Sequence, residues 1–71
     1  MNETIYIKLL EEGTTVYRPV NALKLKDGIF KILDKPETDE VWEFQFNAIV
    51  RCIEKKLSGD FCLIAIEKVL S

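Results

Sequence analysis

Leu23-Lys24-Leu25-Lys26-Asp27-Gly28-Ile29-Phe30-Lys31-Ile32-Leu33 decides the fold class. Apolar residues alternate with lysines on both sides of Asp27-Gly28. Asp-Gly in that setting marks a β-hairpin, because a type I′ turn needs positive φ at both central residues. A two-residue loop pairs Lys26 with Ile29, Leu25 with Phe30, Lys24 with Lys31 and Leu23 with Ile32. This register predicts an inner face of Leu23, Leu25, Phe30 and Ile32. Lys24, Lys26 and Lys31 then share the outer face with Ile29 and Leu33.

Working outward, the other segments also read as short strands. Ile5 to Leu10 forms a half-buried strand that ends at Glu11-Glu12-Gly13, a turn. Thr14 to Arg18 is β-prone, and Pro19, which has no donor for a ladder, places this stretch at an edge or a bend. The apolar phase shifts from Val20 and Ala22 to Leu23 and Leu25, which predicts a bulge or kink between them. Asp34 to Glu40 is a polar loop. Trp42, Phe44 and Phe46 alternate with Glu43 and Gln45 and predict a strand with an aromatic inner face. Residues 48–57 fit a strand, rich in β-branched residues at its start, and also fit a helical stripe of Ile49, Val50, Ile53 and Leu57 after Asn47. The strand is favoured because Ser58-Gly59-Asp60 joins the segment tightly to Phe61 to Ile66, an apolar run suited to a doubly covered strand. The sum is an all-β chain of five or six short antiparallel strands. Curling such a sheet into a small barrel hides its apolar face and most of its edges.

Composition sets the limits of this reading. With 71 residues, the sequence suits a single domain spanning 1–71. The 48% apolar content and net charge of −2 argue against disorder, and the mild acidity argues against broad electrostatic binding to nucleic acid or anionic membranes. No apolar run is long enough to predict a membrane helix. The first residues lack a basic region followed by an apolar one, so the expected location is the cytoplasm.

Glu12-Gly13-Thr14-Thr15-Val16-Tyr17-Arg18-Pro19-Val20-Asn21-Ala22, Asp27-Gly28-Ile29-Phe30-Lys31-Ile32-Leu33 and Trp42-Glu43-Phe44 together carry a resemblance. The pattern resembles that of short bacterial proteins without assigned activity, in which an SH3-like barrel is the expected fold. It covers most of the chain with turn and core residues and implies no ligand or catalytic motif. Those proteins often carry Pro-Gly after the Trp strand, where this chain has Gln45-Phe46-Asn47-Ala48. The acidic loop of eukaryotic signalling SH3 domains, which follows an Ala-Leu-Tyr-Asp-Tyr strand, is absent.

The chemistry legible in the sequence is sparse. There is no histidine, which removes Ser-His-Asp and Cys-His arrangements and His-based metal sites. The acidic clusters Glu11-Glu12 and Glu37/Asp39/Glu40 fall in turns, where solvent keeps carboxylates ionised. No glycine-rich phosphate loop occurs. The expectation is therefore a protein that is not an enzyme and needs no cofactor or metal. Cys52 and Cys62 lie in apolar runs and read as inert small hydrophobes. A two-residue Gly59-Asp60 loop would set Cys62 against Leu57, and a three-residue loop would set it against Lys56. Cys52 is then at least four residues further along, roughly 13 Å at strand rise, beyond disulfide reach. Two free thiols are expected.

Two surfaces remain as candidates. Tyr6, Tyr17 and Arg18 are residue types enriched at protein interfaces, and they point to a non-enzymatic protein-binding module as the leading function. Trp42 reads as core. Lys24, Lys26 and Lys31, placed together with Lys24 opposite Lys31, make a like-charge arrangement that an anion or an acidic partner would relieve. They define the alternative, a small nucleic-acid or acidic-ligand binding domain, although lysines at a strand edge also serve to block aggregation. A third reading is a subunit that lends its barrel to a larger enzyme. Oligomeric state stays open, with Ile5–Leu10 and the stretch near Pro19 as the expected exposed edges.

Overall fold

The computed structural model describes residues 2–36, 39–57 and 59–69. Glu37 of the acidic loop and Ser58 of the second glycine turn lie outside the described residues. Six strands follow in chain order: β1 (Asn2–Leu10), β2 (Tyr17–Lys26), β3 (Ile29–Ile32), β4 (Val41–Trp42), β5 (Ile49–Leu57) and β6 (Asp60–Lys68). No helix occurs among the described residues. The all-β reading holds, and the ambiguous segment before the second turn is a strand.

The strands form one six-stranded sheet in the order β2-β3-β5-β6-β1-β4, and β1 also pairs with β2. The pairings β1–β2, β2–β3, β3–β5 and β5–β6 are antiparallel. Each antiparallel step reverses chain direction, so four reversals bring β6 back to the direction of β1. The two strands accordingly pair in parallel, with Tyr6 beside Ile64. This corrects the expectation that every pairing is antiparallel. β4 pairs with Leu9 and Leu10 at the far end of β1. Ile5–Leu10 is therefore covered by neighbours and is not an exposed edge.

One core cluster holds the sheet together. It takes Ile5, Ile7 and Leu9 from β1, Val20 and Ala22 from β2, Phe30 and Ile32 from β3, Trp42 from β4, Val50 and Cys52 from β5, and Ala65 from β6. The period-two spacing within β1 to β3 follows from strand geometry, which sends alternate side chains to one face. Each large apolar side chain buried in this way contributes about 1.5–3 kcal/mol. Ile64 is also buried but stands outside this cluster.

The β2–β3 hairpin turns at Asp27-Gly28 as expected, with Gly28 at φ 77°. Its register differs from the one read from the sequence. Lys26 faces Ile29, but Lys24 faces Phe30, Leu23 faces Lys31 and Ala22 faces Ile32, with a bulge between Lys24 and Lys26. The extra residue, Leu25, has no partner and stands 46% exposed. Ala22 takes the inner place assigned to Leu23. The expected phase shift is real, but the bulge lies next to the turn rather than between Ala22 and Leu23.

Pro19 fits because of where its nitrogen points. The Leu9 amide donates to the Val16 carbonyl (2.8 Å), so odd-numbered residues of β1 bond to even-numbered residues of β2. Odd-numbered residues of β2, Pro19 included, turn their nitrogens to the opposite side. There the Leu33 amide donates to the Asn21 carbonyl (3.0 Å), and the Asn21 amide donates to Asp34 Oδ2 (2.8 Å). β3 ends at Ile32, so no strand partner awaits a donor from Pro19.

The expected aromatic strand is short. β4 spans only Val41–Trp42, and Trp42 alone of the three aromatics is fully in the core. Phe44 packs against the cluster, and Phe46 lies in a turn beneath the Lys35 ammonium, which is 5.0 Å from the ring centre. Ala48 N donates to Gln45 O at 3.1 Å across this turn. Asn47 adopts φ 70° at its third position, where asparagine replaces the usual glycine.

Candidate functional site

One cleft has a volume of about 560 Å³. Its lining comes from Tyr6 of β1, Thr15, Val16 and Tyr17 at the entry to β2, and Leu57, Asp60 and Cys62 of the β5–β6 hairpin. Two of the three residues proposed for partner contact, Tyr6 and Tyr17, are therefore brought together. Both belong to the face of β1–β2 opposite the core, since Ile5 and Ile7 alternate with Tyr6, and Tyr17 stands opposite Lys8.

Arg18 is placed differently. Its guanidinium lies 3.6 Å from Glu40 Oε2, and Glu40 Oε1 accepts a 3.0 Å hydrogen bond from the Trp42 indole. Arg18 thus steadies the carboxylate that satisfies the one polar atom of a buried indole. It does not line the cleft.

Tyr6 and Cys62 meet within the cleft. Charge at Cys62 is the main cause that raises the Tyr6 phenol above its ordinary value of 10.0, followed by burial, a hydrogen bond with Cys62 and the Asp60 carboxylate. The phenol consequently stays neutral and able to donate a hydrogen bond throughout the physiological range. Asp60 has no ion-pair partner among the described residues. The cleft thus combines two aromatic faces, aliphatic carbon from Val16 and Leu57, and one carboxylate. An extended polypeptide with an apolar side chain would find both a greasy surface and hydrogen-bonding groups there.

The lysines do not form the single face expected. Lys31 stands opposite Leu23, whereas Lys24 is one residue further along β2 and opposite Phe30, so the two project from opposite faces. The cause is the bulge at Leu25, which shifts the register by one residue. Lys24 is moreover 3.5 Å from the Asp27 carboxylate. The like-charge pairing that favoured an anion site is absent.

The cysteine register also needs correction. Leu57 pairs with Asp60, and Cys62 faces Lys55 rather than Leu57 or Lys56. Cys52 faces Ala65, three cross-strand positions away, and both thiols are free. Thr15, Val16, Leu57, Asp60 and Cys62 escaped the sequence reading as cleft residues. Their only sequence signal was the two-faced apolar run Phe61 to Ile66.

Among the described residues there is no cluster of three or more His, Cys, Asp or Glu placed to hold a metal ion. Among the same residues no helix is long and apolar enough to cross a membrane. Compared with protein families, curated proteins and solved structures, the chain has no significant match.

Proposed function

We propose that this chain is a small SH3-like barrel that acts as a non-enzymatic protein-binding module, with the Tyr6–Tyr17 cleft as its docking surface. The barrel reading is supported by the succession of pairings, which runs β2-β3-β5-β6-β1 and returns to β2. The binding reading rests on one observation. Two tyrosines separated by ten residues of sequence, and a hairpin from the far end of the chain, line a single cleft of about 560 Å³. Tyrosine supplies a large amphipathic contact area at small entropic cost, which is why it concentrates at binding hot spots.

Tyr6→Ala and Tyr17→Ala each remove most of a cleft wall while leaving the core cluster intact. Each is expected to lower capture of an extended apolar peptide, selected from a random peptide library on the wild-type protein, by tenfold or more. The far-ultraviolet circular dichroism of both variants should match that of wild type. Selected peptides that bind both alanine variants as tightly as wild type would remove the cleft as the docking surface.

A further inference from the structure

β5 is long, and β3 covers only its first part. β3 pairs with Ile49, Val50 and Arg51. The Cys52 amide then donates to the Gly28 carbonyl at the hairpin tip (2.8 Å). From Ile53 to Leu57 the strand is paired with β6 on one side, and among the described residues no strand covers the other. Strand alternation fixes which groups that open side presents. Cys52 directs its amide towards β3, so Glu54 and Lys56 direct theirs to the same, uncovered side, while Ile53, Lys55 and Leu57 bond towards β6.

The open segment Ile53-Glu54-Lys55-Lys56-Leu57 is complementary to its own reverse. Antiparallel pairing of hydrogen-bonded residues requires edge-directed residues to face each other. Three such registers are centred within the segment, on Glu54, Lys55 or Lys56. Centring on Glu54 sets two glutamates together, and centring on Lys56 sets two Lys56 side chains together. Centring on Lys55 sets Glu54 opposite Lys56 twice and Ile53 opposite Leu57 twice. Neither Glu54 nor Lys56 forms an ion pair within the chain among the described residues. Ile53 is 40% exposed, which is large for an aliphatic strand residue.

We propose that the β5 edge is a homodimer interface, in which a second copy of this chain adds its own β5 antiparallel, centred on Lys55. The hairpins of the two copies then join as a four-stranded β6-β5-β5-β6 sheet. Both glutamates and both Lys56 side chains are neutralised across the junction, and Ile53 and Leu57 form two apolar pairs on the other face. Lys55 meets its copy on the axis, at a non-hydrogen-bonded position where side chains approach closely. That contact keeps the association weak, and a two-fold contact closes on itself, which blocks further stacking along this edge. The edge meets the Tyr6–Tyr17 cleft at Leu57, which lines the cleft and also belongs to the edge, whereas Ile53, Glu54, Lys55 and Lys56 do not line it.

Sedimentation velocity across a wide concentration range tests the interface. Wild type is expected to show a reversible monomer–dimer equilibrium. Glu54→Lys places lysine opposite Lys56 twice and should weaken the dimer about tenfold. Glu54→Lys combined with Lys56→Glu restores opposite charges in the same register and should recover the dimer. Lys55→Glu mixed with wild type should form a heterodimer tighter than either homodimer. A wild-type chain that stays monomeric at millimolar concentration would overturn the proposal. So would a dimer indifferent to Glu54→Lys, or one that the double exchange fails to rescue. If Glu54→Lys proves unfolded by circular dichroism, Lys56→Glu makes the same like-charge contact from the other side and should weaken the dimer to the same extent.

Discussion

Cys52 and Cys62 sit on neighbouring strands and meet different surroundings. Cys52 is 5% exposed, and burial pushes its thiol from 9.0 up to about 11. Cys62 lies partly open in the cleft beside Tyr6. At pH 8, Ellman's reagent should therefore modify Cys62 and leave Cys52 untouched, with both reacting in denaturant. A native protein that releases two equivalents rapidly would contradict the burial of Cys52. The raised value also has a consequence for stability. The folded state keeps the Cys52 proton while the unfolded chain loses it, so stability is unaffected below pH 9 and falls as pH rises from 9 towards 11. Urea midpoints of wild type and Cys52→Val at pH 8 and pH 10.5 isolate this effect, with the larger fall expected in wild type. The sequence foretold two free thiols correctly, but from a turn position one residue out. Composition near a cysteine tells of burial, whereas its cross-strand partner depends on which residues the turn consumes.

At the scale of the element, the β2–β3 hairpin separates what local chemistry specifies from what packing decides. Asp27-Gly28 specifies the turn, because glycine adopts φ 77° without strain. The register is decided elsewhere. Phe30 and Ile32 must enter the core, and β2 already commits Val20 and Ala22 to it. Val20, Ala22, Phe30 and Ile32 all face inward only if one residue is looped out, and Leu25 is that residue. A matching bulge interrupts β5–β6, where Arg51 faces Glu67 and Cys52 faces Ala65, leaving Ile66 unpaired and 38% exposed. Both bulged residues are apolar, so hydropathy alone marked them as core. Truncation tests the distinction. Phe30→Ala should cost about 3–5 kcal/mol, as for a large side chain removed from a tight core. Leu25→Ala should cost less than about 1 kcal/mol, because little of the side chain is withdrawn from water. Urea denaturation that ranks the two in the reverse order would show that the hairpin pairs without a bulge in solution.

For the whole molecule, the shortest ladder is the one that links the first strand to the last. β1 and β2 are in register over seven residue pairs, from Asn2 with Leu23 to Lys8 with Tyr17. β1 and β6 are in register at one residue pair, Tyr6 with Ile64. That contact is the least local in the fold, and nothing in the pattern of either segment announced it, because strand periodicity reports which face is buried and not which strand lies alongside. The alternation established by the bond from Leu9 to Val16 directs the amides of Ile5 and Ile7 towards β2 and that of Tyr6 towards β6. In native-state hydrogen exchange, Ile5 and Ile7 should be protected close to the limit set by global unfolding. Tyr6 should exchange at least tenfold faster, through separation of the seam while the rest of the sheet persists. Equal protection of Tyr6 and Ile5 would mean that the seam and the sheet open together. The same amide also reports on the cleft, whose lining includes Tyr6 on one side of the seam and Cys62 on the other. A peptide seated between them bridges β1 and β6 and is bound only while the seam is closed. Its binding should therefore slow exchange at Tyr6 more than at Ile7, whereas a peptide held elsewhere would leave their ratio unchanged.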